Sequence, residues 1–162
     1  MRVLGVDPGL QVTGYGLLDD TSGKPELVEA GVIRSTSSHP LEKRLLDLYN
    51  GLENVIDELQ PDVLSVEELY SHYSHPKTAV IMGHARGVFF LVAAQAGIQV
   101  FSYSATRVKK SLTGTGRATK DQVARMICRI LQCSEFKGPE DVTDAIAVAL
   151  CHYNVLSHGG VL

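Results

Sequence analysis

Apolar positions along the chain alternate between short runs of β character and longer one-sided stretches of helical character. Val3-Leu4-Gly5-Val6-Asp7-Pro8-Gly9 is a β-type run stopped by a Pro-Gly turn. Further strands are predicted at residues 15–18 and 27–33, separated by the turn-forming Asp20-Thr21-Ser22-Gly23, so the chain begins as a three-strand meander. Between Pro40 and Gln60, Leu41, Leu45, Leu48, Leu52, Val55, Ile56 and Leu59 recur three and four apart. That spacing predicts a one-sided helix with Pro40 in its first turn. Residues 62–67 are nearly continuous in apolar character, as an interior strand requires. A helix is predicted over 77–96, ending where Gly97 takes a left-handed cap, followed by a strand over 98–103. Two shorter helices flank the loop Thr113-Gly114-Thr115-Gly116-Arg117, and a last helix runs from near Pro139 through Cys151.

Strands first paired as a meander and then alternating with helices predict an α/β domain: a mixed five-stranded sheet with helices on both faces. Periodicity leaves the strand order open. The length of 162 residues suits a single domain, expected over 1–157 and followed by a short C-terminal tail at 158–162. With 44% hydrophobic and 20% charged residues, the composition excludes disordered and collagen-like chains. The longest strictly apolar run, residues 88–94, is far short of a bilayer span, and Asp7 and Gly9 interrupt the only signal-like segment. A cytoplasmic protein without membrane contact is expected. Cys128, Cys133 and Cys151 lack the spacing of a zinc site or a disulfide framework and are expected to be buried, reduced thiols.

Charge changes this picture. The formal net charge is -3, yet Arg107, Lys109, Lys110, Arg117, Lys120, Arg125 and Arg129 fall between residues 107 and 129 against Asp121 alone. A basic patch on an acidic protein suits a polyanion held in one place, and a solvated helix face is the competing reading. Asp7 and Glu67 each close an apolar strand at the end where open α/β sheets place ligands. Taken singly, Asp7 is a turn residue and Glu67 a solvated strand end. Asp141 and Asp144 lie three apart on the last helix and project within about 60° of each other, on a face that Val148 suggests is covered; helix capping is the alternative for them. Four converging carboxylates repel one another unless a cation joins them. Mg²⁺ binds through a few carboxylates while keeping open positions for phosphate oxygens, and two ions about 4 Å apart stabilise both oxygens of an in-line phosphodiester displacement. The set therefore reads as a nuclease site.

The order Gly5-Val6-Asp7-Pro8-Gly9 with Thr13-Gly14-Tyr15-Gly16, then Val66-Glu67, Gly83-His84-Ala85-Arg86-Gly87, Val108-Lys109, Lys120 and Asp141-Val142-Thr143-Asp144-Ala145 resembles the RuvC family of Holliday-junction resolvases. The resemblance spans residues 3–153. It implies a ribonuclease-H-like fold and a divalent-metal-dependent endonuclease acting in DNA recombination and DNA repair. It implies that Asp7, Glu67, Asp141 and Asp144 hold Mg²⁺, with Mn²⁺ as substitute and two ions per site, Asp7 being the shared ligand. A metal-activated water would attack phosphorus, leaving 5′-phosphate and 3′-hydroxyl ends. The RuvA and RuvB branch-migration proteins are implied as partners.

Lys120 follows Thr119, which with Gln122 fits a capping box, so Lys120 sits in a helix first turn beside free amides that attract phosphate. It resembles the family's active-site lysine and Lys109 a second phosphate-contacting lysine; Arg107, Lys110 and Arg117 are further candidates for DNA contact. Surface solubility is the alternative for Lys109 and Lys110, and pairing with Asp121 for Arg125. Tyr70 and Tyr73, in the loop after Glu67, are candidates to stack on bases opened at the crossover, where family members carry phenylalanine and asparagine. His72 and His75 lack a third ligand and read as solvent-exposed. Two nicks related by a two-fold axis call for a C2 homodimer. Gly83 and Gly87 would admit another helix closely, or equally serve packing on the chain's own sheet. The competing functions are an RNA–DNA hybrid ribonuclease of the same fold and a catalytically inactive junction-binding scaffold.

Overall fold

The computed structural model describes residues 1–20, 23–69, 76–134 and 138–157. The chain runs β1 (Arg2–Asp7), β2 (Val12–Asp19), β3 (Glu26–Arg34), α1 (Leu41–Leu59), β4 (Val63–Glu67), α2 (Pro76–Gln95), β5 (Gln99–Tyr103), α3 (Ala105–Thr113), α4 (Lys120–Ile130) and α5 (Glu140–Ser157). The strands form one five-stranded sheet in the order β3-β2-β1-β4-β5. β1, β2 and β3 pair antiparallel, while β4 pairs parallel with both β1 and β5. This is the expected meander and mixed sheet, with the order now supplied by long-range pairing.

Strand parity assigns the faces, because successive side chains point to opposite sides of a sheet. Leu4, Val6, Leu17, Leu64 and Val66 pack with Leu48, Leu52, Phe89 and Ala93 of α1 and α2. Val3, Leu18 and Tyr103 pack on the other side with α3, α4 and α5. α5 is buried from Ala145 to His152, sandwiched between the sheet and α3. It approaches the sheet at backbone distance: a Cβ on Gly5 or Gly14 would collide with the backbone oxygen of Ala145 or Asp141 respectively. Ser65 Oγ donates to the Val148 carbonyl at 3.0 Å, a further tie between β4 and α5.

Several boundaries differ from expectation for identifiable reasons. β2 starts at Val12 rather than near residue 15, because pairing with β1 and β3 on both sides overrides the poor strand propensity of Gly14 and Gly16. α5 continues to Ser157, beyond Cys151, because the polar residues that follow find partners. His152 Nδ1 meets Tyr103 Oη at 2.7 Å, and Asn154 Nδ2 donates to Ser111 Oγ at 3.1 Å. Pro40 is the N-cap of α1, with ψ 160°, and the helix begins at Leu41. Of the cysteines only Cys151 is fully buried; Cys128 and Cys133 are half-buried, and all three are free thiols. The segment Lys77–Gln95 is long and apolar enough by composition to cross a bilayer, yet it inserts Ala85, Phe89, Val92 and Ala93 into the core against the sheet.

Candidate active site

Asp7 and Glu67 owe their proximity to register. Val6 pairs with Val66 on adjacent parallel strands, so Asp7 and Glu67 follow side by side at the interstrand spacing of about 4.8 Å. Parity turns both toward α5, since Val3 and Ser65, four and two residues before them respectively, contact that layer. Asp7 also pairs across β2 with Gly14, and the missing side chain there lets the Asp141 backbone sit directly on the sheet. Close packing of α5 thus delivers Asp141 and, one turn later, Asp144 to the ends of β1 and β4. Behind Asp7, the turn is held by a buried Thr13, whose hydroxyl donates to the Gly9 carbonyl at 2.7 Å.

Asp7, Glu67 and Asp144 line one pocket of about 240 Å³ together with Lys109, Lys120, Ala105, Val108, Val123 and Ala147. Asp141 stands outside the lining but close enough to act on Asp7 electrostatically. Burial, reinforced by Asp144, Glu67 and Asp141 and opposed by Lys120, pushes the Asp7 carboxyl up to about 7. Glu67 is raised as well, by burial and by Asp144, against the opposing charges of Lys109 and Lys120. Acidic groups are being held where the fold alone does not favour their charge.

The capping box forms as expected: Thr119 accepts from the Gln122 N–H and Gln122 Oε1 accepts from the Thr119 N–H at 2.9 Å. It sets the start of α4 so that Lys120 Nζ donates to Glu140 Oε2 at 2.9 Å and to Asp144 Oδ2 at 3.1 Å. These bonds, that to Glu140 first, hold the Lys120 ammonium above its ordinary range, so it is a permanent cation. Glu140, which the sequence reading missed, was signalled only by its place in the first turn of the helix bearing Asp141 and Asp144. Arg86 was quoted there only as part of a motif; it donates to Ser102 Oγ at 2.7 Å and lies 4.4 Å from the Phe90 ring, bracing α2 against β5 on the face of the sheet away from the pocket.

The donor set is oxygen-only, as hard divalent cations prefer. Among the described residues no three histidine, cysteine, aspartate or glutamate groups already stand as a preassembled metal cage. Shared occupancy of one pocket with raised carboxyl pKa values fits an ion of the magnesium type, which takes one or two carboxylates directly and keeps several waters. Of the other candidates for DNA contact, Lys109 lines the pocket, Arg107 lies 5.1 Å from the Tyr103 ring, and Lys110 and Arg117 are exposed outside it. Tyr70, Tyr73, His72 and His75 lie outside the described residues, as does the tail at 158–162.

The sequence and the fold have clear counterparts. Residues 3–152 match the family model for the crossover junction endodeoxyribonuclease RuvC. The chain is 43% identical to the RuvC of Caldicellulosiruptor saccharolyticus over 163 aligned positions, covering 100% of this chain and 96% of the relative. It is 45% identical to that of Rhodopirellula baltica over 152 positions, covering 93% and 85%. Among solved structures, Thermus thermophilus RuvC in complex with Holliday junction substrate superposes with a TM-score of 0.91 at 31% identity, covering 98% of this chain and 96% of that one. With strands, acidic cluster and lysines in this arrangement over nearly its whole length, the chain belongs to the RuvC family of crossover junction endodeoxyribonucleases.

Proposed function

We propose that this chain resolves four-way DNA junctions by paired symmetric nicks, with Asp7, Glu67, Asp141 and Asp144 holding Mg²⁺, or Mn²⁺ in its place, against the scissile phosphate. The observation that carries this reading is the single pocket lined by acidic groups from two parallel strands and a third element, with two lysines on its other wall. Bound there, two such ions supply Lewis-acid charge and a water acidified enough to attack phosphorus in line. Asp7 carries the greatest burden, since three other carboxylates act on it and burial adds to them. Lys120, permanently charged, serves as a fixed positive group for a phosphate oxygen and not as a proton donor. Lys109 faces Glu67 and counters its charge from α3. Ala105, Val108, Val123 and Ala147 give the pocket an apolar wall that strengthens these interactions by limiting water. The products carry 5′-phosphate and 3′-hydroxyl ends, as sealing by a ligase requires. Arg107, Lys110 and Arg117 extend the contact along the DNA backbone, and Tyr70 or Tyr73 stacks on bases at the crossover.

One pocket per chain makes one nick, so a C2 homodimer is part of the reading. The face of α2 supports it. Val80 and Leu91 are 61% and 54% exposed, and a Cβ on Gly87 would meet nothing within 4 Å among the described residues, so this glycine is not used for packing on the chain's own sheet. The protein then works in the cytoplasm, in recombination and repair, beside RuvA and RuvB. Incubating a synthetic four-way junction and an RNA–DNA hybrid duplex with the protein and Mg²⁺ tests the core of the proposal. Paired nicks at symmetry-related positions of the junction are expected; cleavage of the hybrid with an intact junction would overturn it.

A further inference from the structure

On the side of α4 roughly opposite Lys120, Arg125 and Arg129 stand one turn apart. With Thr113 at the end of α3, Thr115 of the following loop, Gln122 and Met126 they line a second cavity of about 270 Å³. Among the described residues no carboxylate lines it, although the protein as a whole carries a formal charge of -3. Asp121, one turn ahead of Arg125, forms no ion pair with it among the described residues, contrary to the simplest reading of their spacing. Two guanidinium groups with no acidic partner among the described residues concentrate positive potential, and their forked donors match phosphate oxygens in geometry. The polar rim adds donors. Thr115 Oγ1 accepts from the Arg117 N–H at 3.4 Å and keeps its own hydrogen to give. Gln122, an exposed residue, spends its carbonyl oxygen on the Thr119 N–H at 2.9 Å, which leaves its amide hydrogens to donate. The cleft is rich in donors and poor in acceptors, the character of an anion site.

Its position relates it to the carboxylate pocket. Lys109 lines the first cavity and Thr113, one helical turn later on α3, lines the second, a step of about 5–6 Å. The geometry points to this cleft as a second, non-catalytic backbone site that takes a phosphodiester of a junction arm beyond the cleaved step. The identity of the polyanion rests on the junction-nuclease reading; the preference for phosphate rests on the cleft itself. Arms of a four-way junction diverge from the crossover, and a contact set off from the catalytic pocket fixes the direction in which one arm leaves. Such contacts position nucleic acid without reading its sequence.

Binding of a labelled junction by the whole chain in EDTA, titrated from 50 to 200 mM salt, tests the site. The double variant Arg125→Gln with Arg129→Gln is expected to bind about five- to tenfold more weakly at ~0.1 M salt, with the slope of log K against log salt reduced by about 1. Arg125→Lys with Arg129→Lys restores the slope, because counterion release counts charge. Phosphate-ethylation interference locates the contact: the wild type is sensitive at an arm phosphate outside the cleaved step, and the glutamine variant is not. Equal slopes and unchanged interference in the glutamine variant would overturn the site. Should the wild type bind linear duplex as tightly as the junction, the junction reading fails instead, and the same slope comparison made on duplex still decides whether the cleft holds phosphate.

Discussion

On one face of the sheet Leu4, Val6, Leu17, Leu64 and Val66 meet Leu48, Leu52, Phe89 and Ala93, all apolar and fully buried. On the other face the same strands present Gly5, Gly14, Asp7 and Glu67 to α5. The first arrangement is favourable by hydrophobic burial alone. The second removes side chains to let a helix approach, then places repelling carboxylates where that helix ends. One layer anchors the sheet so that the other can hold charges in a geometry the chain by itself resists. Both faces carry a buried apolar core, but only the α5 face also holds the carboxylates, and that difference can be tested residue by residue.

The largest contrast should come from Asp7→Asn. Loss of the central carboxylate is expected to lower single-turnover junction cleavage by about 10⁴-fold, roughly 5 kcal/mol of barrier, while junction binding survives. Robust cutting by the variant would remove Asp7 from the mechanism. On the opposite face, Phe89→Ala should cost about 3–5 kcal/mol in urea unfolding, by cavity formation in the core. Its cleavage rate at saturating junction under stabilising conditions should stay within a few-fold of wild type; a large fall in rate would show that the two faces are not separable.

Asp7 also makes a prediction of opposite sign for stability. Its folded pKa of about 7 lies above the ordinary value of 3.8, so between those pH values the folded state holds a proton that the unfolded state has lost. Stability of the protein in EDTA should therefore fall as pH rises through that window, by on the order of a few kcal/mol at most. Asp7→Asn abolishes the penalty. Calorimetry at pH 8 in EDTA should find the variant melting several degrees above wild type, with the difference vanishing near pH 4. Added Mg²⁺ should raise the wild-type melting temperature more at pH 8 than at pH 6. A variant no more stable than wild type at pH 8 would mean that the carboxylates do not strain the fold.

Gly14→Ala probes the close approach itself. Its Cβ would press on the Asp141 backbone, and an overpacking cost of about 1–3 kcal/mol is expected, with cleavage reduced because Asp141 and Asp144 are displaced together. Unchanged activity and stability would show that α5 relaxes freely. The smallest effect belongs to Glu140→Gln. Glu140 is 81% exposed, so its ion pair with Lys120 is screened, and a stability change within about 1 kcal/mol is expected, with cleavage altered only a few-fold. A loss as large as that of Asp7→Asn would place Glu140 among the essential groups.

Local signals carried much of the fold. The three-and-four spacing located α1, the Gly97 left-handed cap marked the end of α2, and Thr119 with Gln122 announced the start of α4. Each depends on interactions within a few residues, which composition and spacing record directly. α5 runs beyond Cys151, the last residue to which the sequence reading carried it, and the hydrogen bonds of His152 and Asn154 come from Tyr103 and Ser111, each more than forty positions earlier. β2 was read short because its glycines are poor strand formers taken alone, although they are the residues that admit α5.

By itself the sequence determined which residues carry charge at element ends: Asp7 and Glu67 closing apolar strands, Asp141 and Asp144 three apart on one helix, Lys120 behind a capping box. Those are matters of spacing along the backbone. Only the tertiary structure decided that β4 lies beside β1, that parity turns both strand carboxylates to the same face, and that Lys120 reaches Glu140 as well as Asp144. Convergence of this kind depends on hydrogen bonds between strands some sixty residues apart and on helix-to-sheet contact at backbone distance, and neither leaves a periodic trace in the chain.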